Sequence, residues 1–198
     1  LPLICTMNVT SATTRVRELL GLDLTTFNER LAAAPIGAEG VTVLPFFNGE
    51  RVPALPLATG SFLGLTSVNT TQANLCRAVV ESATFGLRYG LELFGDLAKG
   101  ASQIRLIGGG AKNPVWRQMI ADITDTTVIC PAVTDAAALG AALQAAWCER
   151  YPNASLEGLC TRLVQLDEGS RADPEPERVA AYEQAYTRYC QALTDHYY

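Results

Sequence analysis

The sequence predicts an α/β domain whose sheet is at least partly parallel. Two observations carry this prediction. Between residues 104 and 149, short apolar strand patterns alternate with longer helical patterns, in the order "IRLI", "NPVWRQMIADI", "TVICP" and "DAAALGAALQAAWCE". Strands that are apolar throughout and joined through helices are typical of parallel sheets. Three consecutive glycines also follow the first of these strands, at the edge where α/β sheets bind their ligands.

The amino-terminal part predicts a short strand and two helices. Residues 1–5 are mostly apolar and predict the strand. The first helix carries Val16 on its apolar face and is expected to end at Gly21, a residue typical of helix C-termini. The second helix is predicted to begin at the capping box Thr26–Glu29 and to run through alanines to Pro35.

The middle of the chain predicts a strand, a long loop and a long helix. Residues 40–47, "GVTVLPFF", are rich in β-branched and aromatic residues and predict a buried strand. Residues 48–69 hold several prolines and glycines without a period, and a loop of about 22 residues is more often functional than idle. Residues 70–94 predict a helix with one buried stripe. The members of that stripe are Leu75, Val79, Ala83, Leu87 and Leu91.

The carboxyl-terminal part predicts two helices and a loose connection. The helix 135–149 is alanine-rich and contains Gly140, which we interpret as close helix–sheet packing. A close-packed element beside a moving domain interface is the alternative interpretation. Residues 151–172 are predicted to be loose, and Asp173 and Pro174 are predicted to open the last helix as its N-cap and first residue.

Composition and charge exclude several classes of function. The chain has 198 residues, a net charge of −5 and a pI near 4.9, which argues against a general nucleic-acid binder because phosphate backbones need a basic face. No apolar run approaches the roughly 20 residues of a membrane-spanning helix. The single histidine, His196, leaves no material for a catalytic triad. We therefore predict no catalytic residue and no metal ligand within this chain.

The cysteines indicate the cellular compartment of the protein, and the first residues indicate that the chain is part of a longer one. The six cysteines are far apart and form no CxxC pair, so reduced thiols in a cytoplasmic protein are expected rather than a zinc site or a disulfide scaffold. No signal peptide is visible. The chain begins without an initiator methionine, inside an apolar run, and we expect it to be a piece of a longer protein.

The glycine triplet has features that are typical of a ligand-binding turn. Gly108, Gly109 and Gly110 let the backbone adopt positive φ and leave it without side chains. Asn113 can cap the following helix, in which Pro114 suits the first turn. A flat adenine or ribose could lie on this bare backbone, with an amide from Asn113 beside it. Neither GxxxxGK[ST] nor GxGxxG is present, so on these grounds a tight structural corner is the favoured interpretation and a nucleotide site is the alternative.

Longer motifs resemble the FGGY carbohydrate kinases. "GGGAKNPVWRQMIADITD" followed by "DAAALGAALQAAW" is similar to the adenosine motif and second connecting motif of that family. "PFFNGERVP", "ATGSFLGLT" and "LCRAVVESATFGLR" resemble the segments that precede them. The resemblance covers about residues 1–150 in the family's order, and within the family it is nearest to the xylulokinases.

The resemblance implies an actin-like ATPase (ribonuclease H-like) fold, with a mixed sheet flanked by helices. It implies that 1–198 is an incomplete carboxyl-terminal nucleotide-binding domain. The amino-terminal domain, which holds the sugar and the catalytic Asp, would lie outside this chain, and the fragment alone is predicted to be inactive. ATP and Mg²⁺ would bind in the cleft between the domains. The adenosine residues that carry over are Gly109, Gly110, Ala111 and Asn113.

Two positions of the family's motifs have no assigned role, and three others depart from the family's pattern. Glu50 and Arg51 fall in the family's GER motif without an assigned function. Asn69 stands where the family often has His, Ser82 where Gly is common, and Asp135 where Glu is usual. These departures bear on the choice of substrate more than on the fold.

Three functions follow as hypotheses. The first is part of an ATP-dependent kinase that phosphorylates D-xylulose, with glycerol, ribulose and gluconate as alternative acceptors within the family. The second is a non-catalytic actin-like nucleotide switch, and the third is an interaction domain with an empty glycine corner. The expected partners are a sugar bound mainly by the missing domain and a second copy in a homodimer, with no nucleic acid and no membrane.

Overall fold

The computed structural model describes residues 3–97, 101–150 and 155–198. The helices of these residues are α1 (Thr10–Leu19), α2 (Leu24–Ala33), α3 (Gln72–Glu92), α4 (Pro114–Thr124), α5 (Ala136–Arg150), α6 (Leu156–Leu163) and α7 (Pro176–Tyr197). The strands are β1 (Thr42–Leu44), β2 (Ser61–Leu63), β3 (Ile104–Arg105), β4 (Val128–Pro131) and β5 (Leu166–Ala172).

The strands form two small sheets, one of them mixed. β3 and β4 pair in parallel, with Ile104 opposite Val128, and β5 adds to the other side of β4 in antiparallel orientation. β1 and β2 form a separate antiparallel pair. The predicted mixed sheet with a parallel portion is therefore confirmed. Its parallel strands place their carboxyl ends beside the glycine triplet.

The core is built around α3, against which α1, α2, α4 and β1 pack. The predicted apolar stripe is only part of its buried surface. Val79 and Ala83 are buried as expected, but so are the polar residues Arg77 and Glu81 on other faces of the helix. A helix that is enclosed on most sides contacts several elements at once, and one stripe cannot describe it.

Three polar side chains interact inside this core. We call them the α3 cluster, and they are Arg77, Glu81 and Tyr182. The Arg77 guanidinium lies 2.8 Å from the Glu81 carboxylate and donates to the Tyr182 hydroxyl. It also donates to the carbonyl of Ala34 at 3.1 Å. Burial raises the pKa of Glu81, an effect that the neighbouring Arg77 charge opposes. The cluster ties α3 to α2 and to α7.

Several predicted boundaries in the amino-terminal half are wrong. Residues 3–5 lie outside any strand, and Leu1 and Pro2 lie outside the described residues. α2 begins at Leu24, two residues before the predicted start at Thr26, because Asp23 accepts the Thr26 N–H at 2.7 Å and serves as N-cap. The predicted end of the first helix is confirmed, since Gly21 follows it with φ 65°.

The predicted loop 48–69 contains regular structure. β2 lies within it and pairs with β1, and Glu50 and Leu55 close a tight turn through two backbone hydrogen bonds. β2 is three residues long and bordered by glycines, so its sequence signal is weak.

The carboxyl-terminal half is also more regular than predicted. The segment 151–172 holds α6 and β5, while its residues 151–154 lie outside the described part. α7 begins at Pro176, after the N-cap Glu175, and not at the predicted pair. Asp173 instead accepts the Thr127 hydroxyl at 2.7 Å and pairs with Arg171 at 2.9 Å.

α5 is the least enclosed of the long helices. Leu143 is its buried residue, and a Cβ added to Gly140 would have no neighbour within 4 Å. Its main contact is with α6 rather than with the sheet. Within the described residues, the interpretation of Gly140 as close helix–sheet packing is therefore wrong.

Candidate functional site

The glycine triplet forms a bare turn directly after β3. Gly108 has φ 96°, a value that favours glycine, and the chain then makes a 3-10 turn from Gly109 to Lys112. The N–H of Ala111 closes this turn on the Gly108 carbonyl at 3.2 Å. A Cβ added to Gly108 or Gly109 would meet no neighbour within 4 Å, so this backbone is open to a ligand.

The third glycine has a different environment. A Cβ on Gly110 would come within 3.0 Å of the Trp116 ring, so Gly110 packs against that ring. The ring is fixed, because its indole N–H donates to the Thr84 hydroxyl at 2.9 Å. Ala111 is buried. Of the four predicted adenosine residues, Gly109 is exposed, Gly110 and Asn113 are half-buried, and Ala111 is buried.

Asn113 caps α4 and also reaches α2. Its Oδ1 accepts the N–H groups of Val115 at 2.9 Å and Trp116 at 3.2 Å, so the predicted N-cap is confirmed. Its Nδ2 donates to Oδ1 of Asn28 at 2.8 Å. An amide nitrogen carries two N–H groups, and the described residues show no acceptor for the second one. That donor is available to a ligand.

Two clefts lie on opposite sides of the glycine turn, and Gly109 and Lys112 line both. The first, which we call the apolar cleft, has a volume of about 750 Å³ and lies between α2 and the start of α4. Phe27, Ala32 and Val115 contribute apolar surface to it. This volume falls in the range of about 300–1,000 Å³ that small-molecule sites usually have.

The second, which we call the polar cleft, has a volume of about 520 Å³ and opens at the carboxyl ends of β3 and β4. Lys112 and Arg117 bring two positive charges to it, and Asp135 and Asp167 bring two carboxylates. The Arg117 guanidinium is held by the Ala111 carbonyl at 2.8 Å. Within residues 3–97, 101–150 and 155–198, no three His, Cys, Asp or Glu side chains converge in a way that could hold a metal ion.

Sequence reasoning missed the far wall of the apolar cleft. Phe27 and Asn28 belong to α2, about 80 positions before the glycine turn in the chain, and no motif links the two segments. The pairing of two asparagines across the cleft leaves no signal in the sequence. His196 lies elsewhere, with its ring nitrogen 3.3 Å from the Ser61 hydroxyl.

The residues that depart from the family's pattern are used within the fold. Asn69 accepts the N–H of Thr66 at 2.7 Å, and the Ser82 hydroxyl accepts that of Val43 at 3.3 Å. Asp135 accepts the N–H of Ala138 at 3.1 Å in the first turn of α5. None of these contacts disturbs the glycine turn.

Comparison with known proteins identifies the family. Residues 8–149 match the C-terminal domain of the FGGY family of carbohydrate kinases. The chain belongs to the FGGY family. Its glycine turn is therefore the equivalent segment of an FGGY kinase domain, and the fold is the actin-like ATPase fold that the sequence predicts.

Individual FGGY relatives and structures agree. The chain is 52% identical over 197 residues to a xylulose kinase of Haemophilus influenzae, which covers 100% of this chain and 40% of that protein. It is 42% identical over 147 residues to a xylulose kinase of Streptomyces rubiginosus, covering 74% of this chain and 29% of that protein. The chain thus spans two-fifths or less of the length of these relatives.

Solved structures of FGGY kinases superpose on nearly the whole chain. The ligand-bound xylulose kinase of Lactobacillus acidophilus matches with a TM-score of 0.87 at 26% identity, covering 97% of this chain and 39% of that one. The xylulose kinase of Bifidobacterium adolescentis matches with a TM-score of 0.74 at 34% identity, covering 96% and 35%. No helix of the described ranges is long and apolar enough to cross a membrane.

Proposed function

We propose that this chain is the nucleotide-binding part of an ATP-dependent carbohydrate kinase that phosphorylates D-xylulose to D-xylulose 5-phosphate. The observation that carries the proposal is the open backbone of Gly108 and Gly109 at the carboxyl end of β3, with a cleft on each side. Membership of the FGGY family and the similarity to proteins named xylulose kinase support the reaction and the sugar.

The two clefts suit the two parts of ATP. Adenosine is apolar on its faces and polar at its edge, and the apolar cleft offers Phe27 and Val115 together with the free N–H of Asn113. The phosphates would extend past Gly109 toward Lys112 and Arg117, the two cations of the polar cleft. Because glycine has no side chain, phosphate oxygens can approach its backbone N–H group closely.

Mg²⁺ fits this chain only in part. Magnesium is usually held by one or two carboxylates together with the substrate's phosphates, and it would offset negative charge on the transferring phosphoryl group. Asp135 and Asp167 are the carboxylates of the polar cleft. Both already accept backbone N–H groups, from Ala138 and Gly169 respectively. We therefore propose that the phosphates and the rest of the protein contribute most of the magnesium ligands.

The rest of the protein is proposed to supply the sugar pocket and the catalytic base. The described residues include no histidine at either cleft, and the two carboxylates of the polar cleft, Asp135 and Asp167, both accept backbone N–H groups. The exposed, alanine-rich surface of α5 supports the proposal that a further domain covers this side of the chain. We further propose a cytoplasmic protein, since its six cysteines are free thiols, and retain the homodimer as a prediction.

Sugar-dependent release of ADP by the full-length protein tests the reaction. We expect D-xylulose to give the largest kcat/KM among xylulose, ribulose, glycerol and gluconate. Turnover of another of these compounds in preference to xylulose would change the proposed substrate but not the proposed reaction. ATP binding without turnover of any sugar would favour the nucleotide switch, and absence of ATP binding would favour the interaction domain.

A further inference from the structure

Glu50, in the turn between β1 and β2, is a buried carboxylate with no cation beside it among the described residues. Its exposed fraction is 4%, and the salt bridges of the described residues do not include it. Its neighbour Arg51 points away, with its guanidinium 3.2 Å from the thiol of Cys5 at the surface. A buried charge must be compensated by hydrogen bonds when no opposite charge is near. The donors that compensate Glu50 indicate its task.

Half of those donors come from the segment just before α1, and half come from the turn of Glu50 itself, where the N–H of Val52 lies 3.5 Å from Oε1. Oε1 of Glu50 accepts the backbone N–H of Met7 at 2.7 Å and that of Arg51 at 2.7 Å. Oε2 accepts Nδ2 of Asn8 at 3.0 Å, and the same Nδ2 donates to the Gly49 carbonyl at 2.6 Å. Two residues of the segment before α1 are thus held by one carboxylate and the turn that carries it.

Asn8 is committed to this contact. It is 2% exposed, and both N–H groups of its amide point to Glu50 and Gly49, while its Oδ1 has no partner in the described part of the chain. A buried amide oxygen without a donor is rare in folded proteins. The amide orientation therefore follows from the two acceptors that the turn presents.

The anchored segment leads directly into a wall of the apolar cleft. α1 begins at Thr10, two residues after Asn8, and Thr10 lines the cleft opposite the glycine turn. The N-cap of α1, Val9, has no side chain that can accept a hydrogen bond, so α1 lacks the usual local signal for its start. The start of α1 depends instead on contacts from elsewhere in the fold.

We propose that Glu50 is a positioning residue of the nucleotide site, whose carboxylate fixes Met7 and Asn8 and thereby holds the start of α1 in place as a wall of the apolar cleft. Glu50 does not touch the nucleotide in this account. The inference rests on the proposed function, because it requires that the apolar cleft takes adenosine. It assigns a role to the first charged residue of the GER sequence.

Kinetics of the full-length protein test this role, with Glu50→Gln as the main variant. The amide keeps one acceptor oxygen but turns an N–H toward Asn8, so the anchor is weakened without a change of volume. We expect KM for ATP to rise about fivefold in Glu50→Gln, because a small displacement of a site wall weakens binding, with KM for xylulose unchanged. Asn8→Ala should give the same selective rise, and the double variant should add little to either single change, since both act on one contact.

Asp122→Asn is the matched control, because Asp122 is also a buried carboxylate that accepts a backbone N–H, from Glu175 at 3.1 Å, and it lines neither cleft. It should lower the melting temperature while leaving KM for ATP unchanged. The inference is overturned if Glu50→Gln leaves KM for ATP unchanged, or if it raises the KM values for ATP and xylulose alike. Failure of the wild-type protein to bind ATP would instead overturn the proposed function, so the two failures are distinguishable.

Discussion

The α3 cluster and the glycine turn both contain polar groups, but these groups are fully hydrogen-bonded in the cluster and partly free in the turn. In the cluster, the Arg77 guanidinium is surrounded by the Glu81 carboxylate, the Tyr182 hydroxyl and a backbone carbonyl, and nothing is left for a ligand. In the turn, Gly108 and Gly109 have open space above them, and Asn113 keeps an N–H without an acceptor among the described residues. The difference separates polar residues that specify the fold from polar groups that are available for binding.

The largest expected effect belongs to the cluster. Arg77→Met removes the cation and leaves the Glu81 carboxylate buried without its partner, which should lower the free energy of unfolding by about 3–5 kcal/mol. Denaturant unfolding of the full-length protein measures this loss. The double variant Arg77→Met/Glu81→Gln should be less destabilised than the single one, because no buried charge remains. A double variant that is less stable than Arg77→Met would contradict the assignment of the cost to the unpaired carboxylate.

Gly110 belongs to the glycine turn but packs against the core residue Trp116, so its substitution should affect both stability and nucleotide binding. Gly110→Val places a branched side chain against the fixed Trp116 ring, 3.0 Å from its Cβ position, and overpacking of this kind typically costs about 1–3 kcal/mol. We expect a lower melting temperature without nucleotide and weaker ATP binding, since the turn must shift. Wild-type stability of Gly110→Val would show that the ring can move aside.

Asn113→Asp should produce the smallest effect. Aspartate caps helices about as well as asparagine, and the Asn28 amide can turn its Nδ2 toward the new carboxylate to replace the bond that Asn113 donates to it, so the free energy of unfolding should stay within about 0.5 kcal/mol of wild type. Loss of the amide N–H should raise KM for ATP about two- to tenfold, which corresponds to one net hydrogen bond of about 0.5–1.5 kcal/mol. Thr71→Asp, which exchanges the N-cap of α3 in the same way, serves as the control and should leave KM unchanged. Equal KM values for Asn113→Asp and wild type would restrict Asn113 to its capping role.

Features that depend on local chemistry could be predicted from the sequence. The bare turn at Gly108, the cap at Asn113 and the stop at Gly21 each follow from residue types a few positions apart, and the structure confirms them. The cap of α2 was predicted at Thr26 because T-x-x-E matches the capping box, yet Asp23 is an equally good cap three positions earlier. Local patterns alone do not choose between two adequate caps.

Features that depend on tertiary contacts could not be predicted. The strand β2 forms because β1 is beside it, and the packing of Gly110 on Trp116 appears only once α4 is folded. The anchor of Met7 by Glu50 joins positions 43 residues apart. The glycine turn lies within the residues that match the family's C-terminal domain, while the predicted adenosine contacts of Gly109, Gly110, Ala111 and Asn113 stay predictions.

Binding of ATP to the full-length protein and its Gly109→Val variant tests the central claim most directly. A side chain at Gly109 has open space and no strained φ, so the variant should melt at the wild-type temperature when nucleotide is absent. Titration calorimetry should then show ATP affinity reduced by at least about tenfold, or about 1.4 kcal/mol, with sugar affinity unchanged. Gly109→Ala should give a smaller loss in the same direction. A folded Gly109→Val protein that binds ATP as tightly as wild type would contradict the account and remove the glycine turn from the nucleotide site.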